Sequence, residues 1–158
     1  MRVELLYAPL PFIGAIAVHY WFVVFDDAGG CHRWEVWQTR NAGGRSFDHV
    51  HCDLKAPADG VGGGPSRVAT TWTGEEAARI AAVLDDPGSY PQRSRYRYWP
   101  GPNSNSFVAW VLRRAGSLPF TTQSVIVLCS RVAAWRSACS QSARPAPMRQ
   151  RSGNTLTA

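Results

Sequence analysis

After Asp86 the chain contains no acidic residue and no lysine, although ten arginines follow. All 11 acids and the other seven basic residues lie at or before that point, and the 158 residues carry a net charge of +6. A basic half of this kind can attract nucleic acid or anionic surfaces. Residues 136–158, however, combine Arg, Ser, Ala and Pro with few large apolar side chains, a composition that cannot support a core. We therefore read residues 1–120 as a single α+β domain. Residues 121–158 read as an atypical basic tail, expected to be disordered, and a nucleic-acid partner is not expected.

Other absences narrow the class further. The four cysteines, Cys31, Cys52, Cys129 and Cys139, form no C-x-x-C pair and suggest no disulfide framework. Residues 5–25 carry no formal charge, yet Pro9, Pro11, Gly14 and His19 interrupt them, and no basic leader or Ala-x-Ala cleavage site accompanies them. A buried strand explains this run better than a membrane span, and a cytoplasmic location is expected. The run Gly62-Gly63-Gly64 lacks the Lys-Ser/Thr of a phosphate loop and reads as a flexible loop. There are no internal repeats, and no cofactor is implied.

What is present is an ordinary apolar fraction of 45%, seven tryptophans, and 14 glycines with 11 prolines, which favour short elements and many turns. Alternating apolar residues predict strands over residues 3–7, 15–25, 33–38, 46–54 and 67–72. Asp26-Asp27-Ala28-Gly29-Gly30 makes a hairpin turn between the second and third. Thr73-Gly74-Glu75-Glu76 has the spelling of a capping box and opens a helix through Ala77, Ile80, Ala81 and Leu84. A second helix is predicted over residues 104–115, with Gly116 as its terminator. The alternating Arg and aromatic residues at 93–99 read as an edge strand.

Chemistry concentrates in Trp99-Pro100-Gly101-Pro102-Asn103-Ser104-Asn105-Ser106-Phe107, a Pro/Gly break feeding directly into a helix N-terminus. A hydroxyl there meets unpaired backbone N–H groups and the positive end of the helix dipole. Those groups serve either a simple cap by Asn103 or Ser104, or a substrate oxyanion. Serine needs a base to act as a nucleophile. His19, the one polar ring in an apolar strand, is the candidate, with Glu35 or His32 on the neighbouring strand to orient it. A salt bridge of Glu35 to Arg33 or another nearby arginine is the alternative. Asn103, Asn105, Trp21 and Trp99 are candidate substrate or oxyanion contacts. A third reading assigns Cys31, His32, His49, His51 and Cys52 to zinc, although no histidine follows His51 to complete such a site.

The block Trp99-Pro100-Gly101-Pro102-Asn103-Ser104-Asn105-Ser106-Phe107 resembles the signature of a bacterial family of unknown function, DUF3750. Glu4-Leu5-Leu6-Tyr7-Ala8, Ala15-Ile16-Ala17-Val18-His19-Tyr20-Trp21 and Arg33-Trp34-Glu35-Val36 support it, and the resemblance covers residues 2–120. Beyond Pro119 the chain departs from the family pattern. At the level of fold, a strand histidine, then a polar residue on the next strand, then Asn at a helix start is similar to circularly permuted papain-like proteins of the NlpC-type and lecithin retinol acyltransferase-like groups. In those a cysteine follows the Asn, and here Ser104 stands in its place. The resemblance implies a curved antiparallel sheet with two helices in permuted papain-like order. It also implies a hydrolase or acyltransferase acting on an amide or ester, with Ser104 as nucleophile, His19 as base and Glu35 as orienter. The alternative is a non-catalytic module binding a peptide or cell-wall fragment.

Overall fold

The computed structural model describes residues 1–12 and 17–117. The expected tail, residues 121–158, and the start of the expected second strand lie outside the described residues. Six strands form one open antiparallel sheet: β1 (Arg2–Pro9), β2 (Val18–Phe25), β3 (Cys31–Val36), β4 (Arg45–Phe47), β5 (Val50–Cys52) and β6 (Arg67–Thr73). Their order is β4-β5-β3-β2-β1-β6. With α1 (Gly74–Leu84) and α2 (Ser104–Arg114) the class is α+β. No helix among the described residues is long and apolar enough to cross a membrane.

The period-2 side-chain alternation divides the sheet into two unlike faces. Val3, Leu5, Phe22, Trp34, Val36 and Val50 face the helices and join Ile80, Leu84, Phe107 and Val111 in one apolar core. The opposite face carries a smaller apolar group, Leu6, Ala8, Trp21 and Val23. Connectivity determines what covers that second face. β5 lies next to one edge and β6 forms the other, so residues 53–66 must cross the sheet. They do so over the second face, and their backbone carbonyls need donors there. Trp21 Nε1 donates to the Pro57 carbonyl at 2.9 Å, and Arg33 Nη1 donates to those of Ala56 (2.9 Å) and Asp59 (2.6 Å). The glycine run belongs to this crossing and is packed, not loose: a Cβ on Gly63 would lie 2.3 Å from the Pro9 carbonyl oxygen.

Three local expectations change. The strand expected over 46–54 is two strands, because Asp48 turns the chain at a φ of 62°, a conformation that Asp tolerates better than most residues. The edge strand expected over 93–99 does not form. Arg93 and Arg95 donate their N–H groups to the carbonyls of Tyr90 and Gln92, and Arg97 donates to that of Pro102, so local turns between prolines take the donors a ladder would need. Thr73 ends β6 in extended conformation and makes no side-chain cap bond. Gly74, at a φ of 61°, makes the turn from strand to helix.

Candidate active site

β2 and β3 pair only from Phe22↔Trp34 to Phe25↔Cys31. Beyond Phe22 the two strands part, and the site lies around this parting. On the loop-covered face, His19 Nε2 lies 2.9 Å from Glu35 Oε2, and Arg33 Nη2 donates to the same oxygen at 2.9 Å. All three side chains are buried. The guanidinium of Arg33 also lies over the Trp21 ring, 4.1 Å from its centroid. Burial pushes the Glu35 carboxyl up, but the His19 hydrogen bond and the Arg33 charge outweigh it, so its pKa sits below the ordinary value. A carboxylate only accepts. His19 must therefore donate from Nε2, which leaves Nδ1 as the acceptor of the neutral ring. Trp37 packs edge-on against that ring at 5.2 Å.

Ser104 occupies the first position of α2, where its hydroxyl lies 3.5 Å from the backbone N of Tyr20, the residue after His19. No hydrogen bond links Ser104 to His19 among the described residues. Asn103 is the N-cap: its Oδ1 accepts from the N–H groups of Asn105 (3.0 Å) and Ser106 (3.3 Å). Among the N–H groups of the first turn, that of Ser104 is the one this cap does not take. Asn105 Oδ1 lies 3.5 Å from the Ser104 hydroxyl. Asn103 Nδ2 donates to the Tyr98 carbonyl at 3.0 Å, tying residues 98–103 to the helix start.

The other candidates are placed less closely. Trp21 is wholly buried beneath Arg33, and Trp99 is 63% exposed. His32 bonds Asp53 Oδ2 at 2.8 Å and so does not orient His19. The five residues considered for zinc do not converge. His49 turns Nδ1 to the Trp37 carbonyl (3.0 Å), His51 lies between Ser46 Oγ (2.9 Å) and the Thr39 carbonyl (3.1 Å), and Cys31 is free. His32 and Cys52 do meet at Asp53, their donor atoms all within 4.8 Å of one another. Burial pushes the Cys52 thiol up to about 11, and Arg45 Nη2 lies 2.9 Å from its sulfur. A neutral thiol under a guanidinium fits a latch between β3, β4 and β5 better than a cation site.

Two features were not singled out in the sequence. Arg33 appeared there only as a rival partner for Glu35, whereas it bonds Glu35 together with His19. The second is a cleft of about 270 Å³ beside His19, walled by Trp37, Tyr96, Tyr98, Leu10, Pro11 and Phe12. The aromatic spacing at Tyr96 and Tyr98 was its only visible signal.

A family model described as a protein of unknown function, DUF3750, matches residues 1–126. No curated protein and no solved structure matches the chain.

Proposed function

The chain belongs to the DUF3750 family, a name without an activity, and from the chemistry of its site we propose a hydrolase or acyltransferase acting on an amide or ester. The observation that carries this reading is the buried His19–Glu35–Arg33 relay, adjacent along β2 to a hydroxyl at a helix N-terminus. Burying three ionisable groups is costly, and Glu35 Oε1 and Arg33 Nε have no hydrogen-bond partner among the described residues. A purely structural sheet face would be more stable with apolar residues there. A fixed imidazole tautomer is what the relay supplies in return.

In the proposed reaction the Ser104 oxygen attacks the substrate carbonyl carbon, and His19 Nδ1 takes the hydroxyl proton. Glu35, its charge matched by Arg33, holds the ring and stabilises the imidazolium that forms. The Ser104 N–H and the Asn105 side-chain amide face the developing oxyanion, while Asn103 positions both by capping the helix. Collapse of the adduct breaks the bond to the leaving amine or alkoxide, which receives the proton from His19. Water or an acceptor nucleophile then releases the acyl group from Ser104 by the reverse sequence. α2 packs on the helix side of the sheet and His19 lies on the loop-covered side, so attack requires Ser104 Oγ and His19 Nδ1 to meet where β2 and β3 part; apo sites commonly tighten only with substrate.

The test is labelling by a fluorophosphonate probe together with hydrolysis of a panel of p-nitrophenyl esters. Ser104→Ala should abolish both, and His19→Asn should slow hydrolysis by roughly 10²–10⁴-fold. Equal labelling of the wild type and Ser104→Ala overturns the assignment. The absence of a Ser104–His19 hydrogen bond favours a second reading, a binding module using the same cleft. Saturable ligand binding with no Ser104-dependent turnover would select it.

A further inference from the structure

We infer that the cleft beside His19 holds an uncharged aromatic ring of the substrate, joined by a short link to the carbonyl that Ser104 attacks. This inference rests on the reading of Ser104 and His19 as nucleophile and base. The walls are rings: Trp37, Tyr96 and Tyr98 face the space together with Leu10 and Pro11, and among the described residues His19 is the one histidine that lines it. Burial pushes the Tyr96 phenol up to about 12, so it stays neutral.

Charge and size restrict the occupant. Among the described residues no Asp, Glu, Lys or Arg lines the cleft, so an anion or cation inside it would lose hydration without a paired counter-charge. Three rings are also the makings of a cage for a cation. Lys55 argues against that, because its ammonium already lies over Trp37, 5.4 Å from the ring centroid. At about 270 Å³ the space falls below the roughly 300–1,000 Å³ of sites for drug-sized ligands. A single six-membered ring with a one- or two-atom link fits that scale, and an aromatic ring gains edge-to-face and offset contacts that a saturated one does not.

The cleft is also tied to the nucleophile. Asn103 Nδ2 donates to the Tyr98 carbonyl at 3.0 Å, and Arg97 N donates to the Pro102 carbonyl at 2.8 Å. The segment that supplies two of the rings is thus fixed to the cap that presents Ser104. A ring seated between Trp37 and Tyr98 would leave its linked carbonyl at the His19 end of the cleft.

The experiment titrates the full-length Ser104→Ala variant, which cannot turn over under the proposed mechanism. The probes are phenylacetamide, cyclohexylacetamide, phenylacetate and benzyltrimethylammonium, followed by tryptophan fluorescence and by the His19 ring signals in NMR. Phenylacetamide should saturate and perturb His19, and each of the other three should bind at least about fivefold more weakly. Tyr98 is 63% exposed, so Tyr98→Ala should fold normally and weaken phenylacetamide by about three- to tenfold. Failure of phenylacetamide to bind, equal binding of cyclohexylacetamide or a charged probe, or indifference to Tyr98→Ala overturns the inference. Turnover of phenylacetate p-nitrophenyl ester by wild type and Ser104→Ala separates the two ideas. Activity that needs Ser104 but ignores the ring sinks only the ring site. Ring binding without Ser104-dependent activity sinks only the catalytic reading.

Discussion

At the scale of single residues, the centre of the site is Glu35, which serves two partners through one oxygen. Replacing it by Gln keeps the volume and removes the charge that both Arg33 and His19 address. Arg33 then remains fully buried without a counter-ion, so Glu35→Gln should cost about 3–5 kcal/mol in urea denaturation. An unchanged midpoint would mean that water reaches Arg33 and the relay is not dry. Ser104→Ala should behave in the opposite way. Its hydroxyl makes only long contacts, at 3.5 Å, to Tyr20 N and Asn105 Oδ1, so stability should stay within about 1 kcal/mol while Ser104-dependent labelling disappears. That His19 and Glu35 meet was legible, because a polar ring and a carboxylate stranded among apolar neighbours on adjacent strands must find partners. The Glu35–Arg33 salt bridge was legible as the rival reading and forms; that Arg33 and His19 would share one Glu35 oxygen was not legible. Sequence spacing puts Arg33 on the Glu35 face, but only the crossing of residues 53–66 explains why an arginine is wanted there at all.

At the scale of elements, the two helices were both legible from their apolar spacing, yet their starts follow different physics. Asn103 caps α2 with two backbone bonds, whereas the Thr73 side chain makes none at α1. Asn103→Ala should therefore lower stability by about 0.5–2 kcal/mol and Thr73→Ala by less than about 0.5 kcal/mol, read as thermal midpoints of the two variants. Equal losses would show that the capping-box spelling at Thr73-Gly74-Glu75-Glu76 works in solution after all. The strands show the same limit of local pattern. Apolar runs bounded by turn residues located β1, β2, β3 and β6 to within a few residues, although β1 and β2 bury side chains on both faces. Alternation overextended the 46–54 segment because a left-handed Asp48 has no hydrophobic signature. It also placed a strand at 93–99, where Tyr96 and Tyr98 alternate with arginine for a different reason: they wall a cleft while the backbone bonds locally.

At the scale of the whole molecule, the sheet joins a dry face and an ionisable one, and acid should separate them. Burial is the main cause holding the His51 pKa below its ordinary 6.5, and Glu35 sits below its ordinary 4.5. His51 lies across from Glu35 in the β3–β5 ladder, so both belong to the loop-covered face. With a depressed folded-state pKa, each group binds its proton more readily in the unfolded chain, so stability falls as pH drops below the unfolded value. The thermal midpoint should therefore be level above about pH 7, decline below about 6.5 as His51 titrates, and fall again below about 4.5 as Glu35 does. His51→Gln should remove the first decline and leave the second. Between those two values, amide exchange should quicken first in β3, β5 and residues 53–66, whose hydrogen bonds hold the ionisable face together. Protection in α1, α2 and β1 should persist, because the titratable groups packed with Phe22, Ile80 and Phe107, Cys52 and Tyr90, are pushed up by burial to about 11 and about 12 and stay neutral in that range. Exchange that rises uniformly over both faces would mean that the protein opens as one unit. The relay would then be no weaker a point than the apolar core behind it.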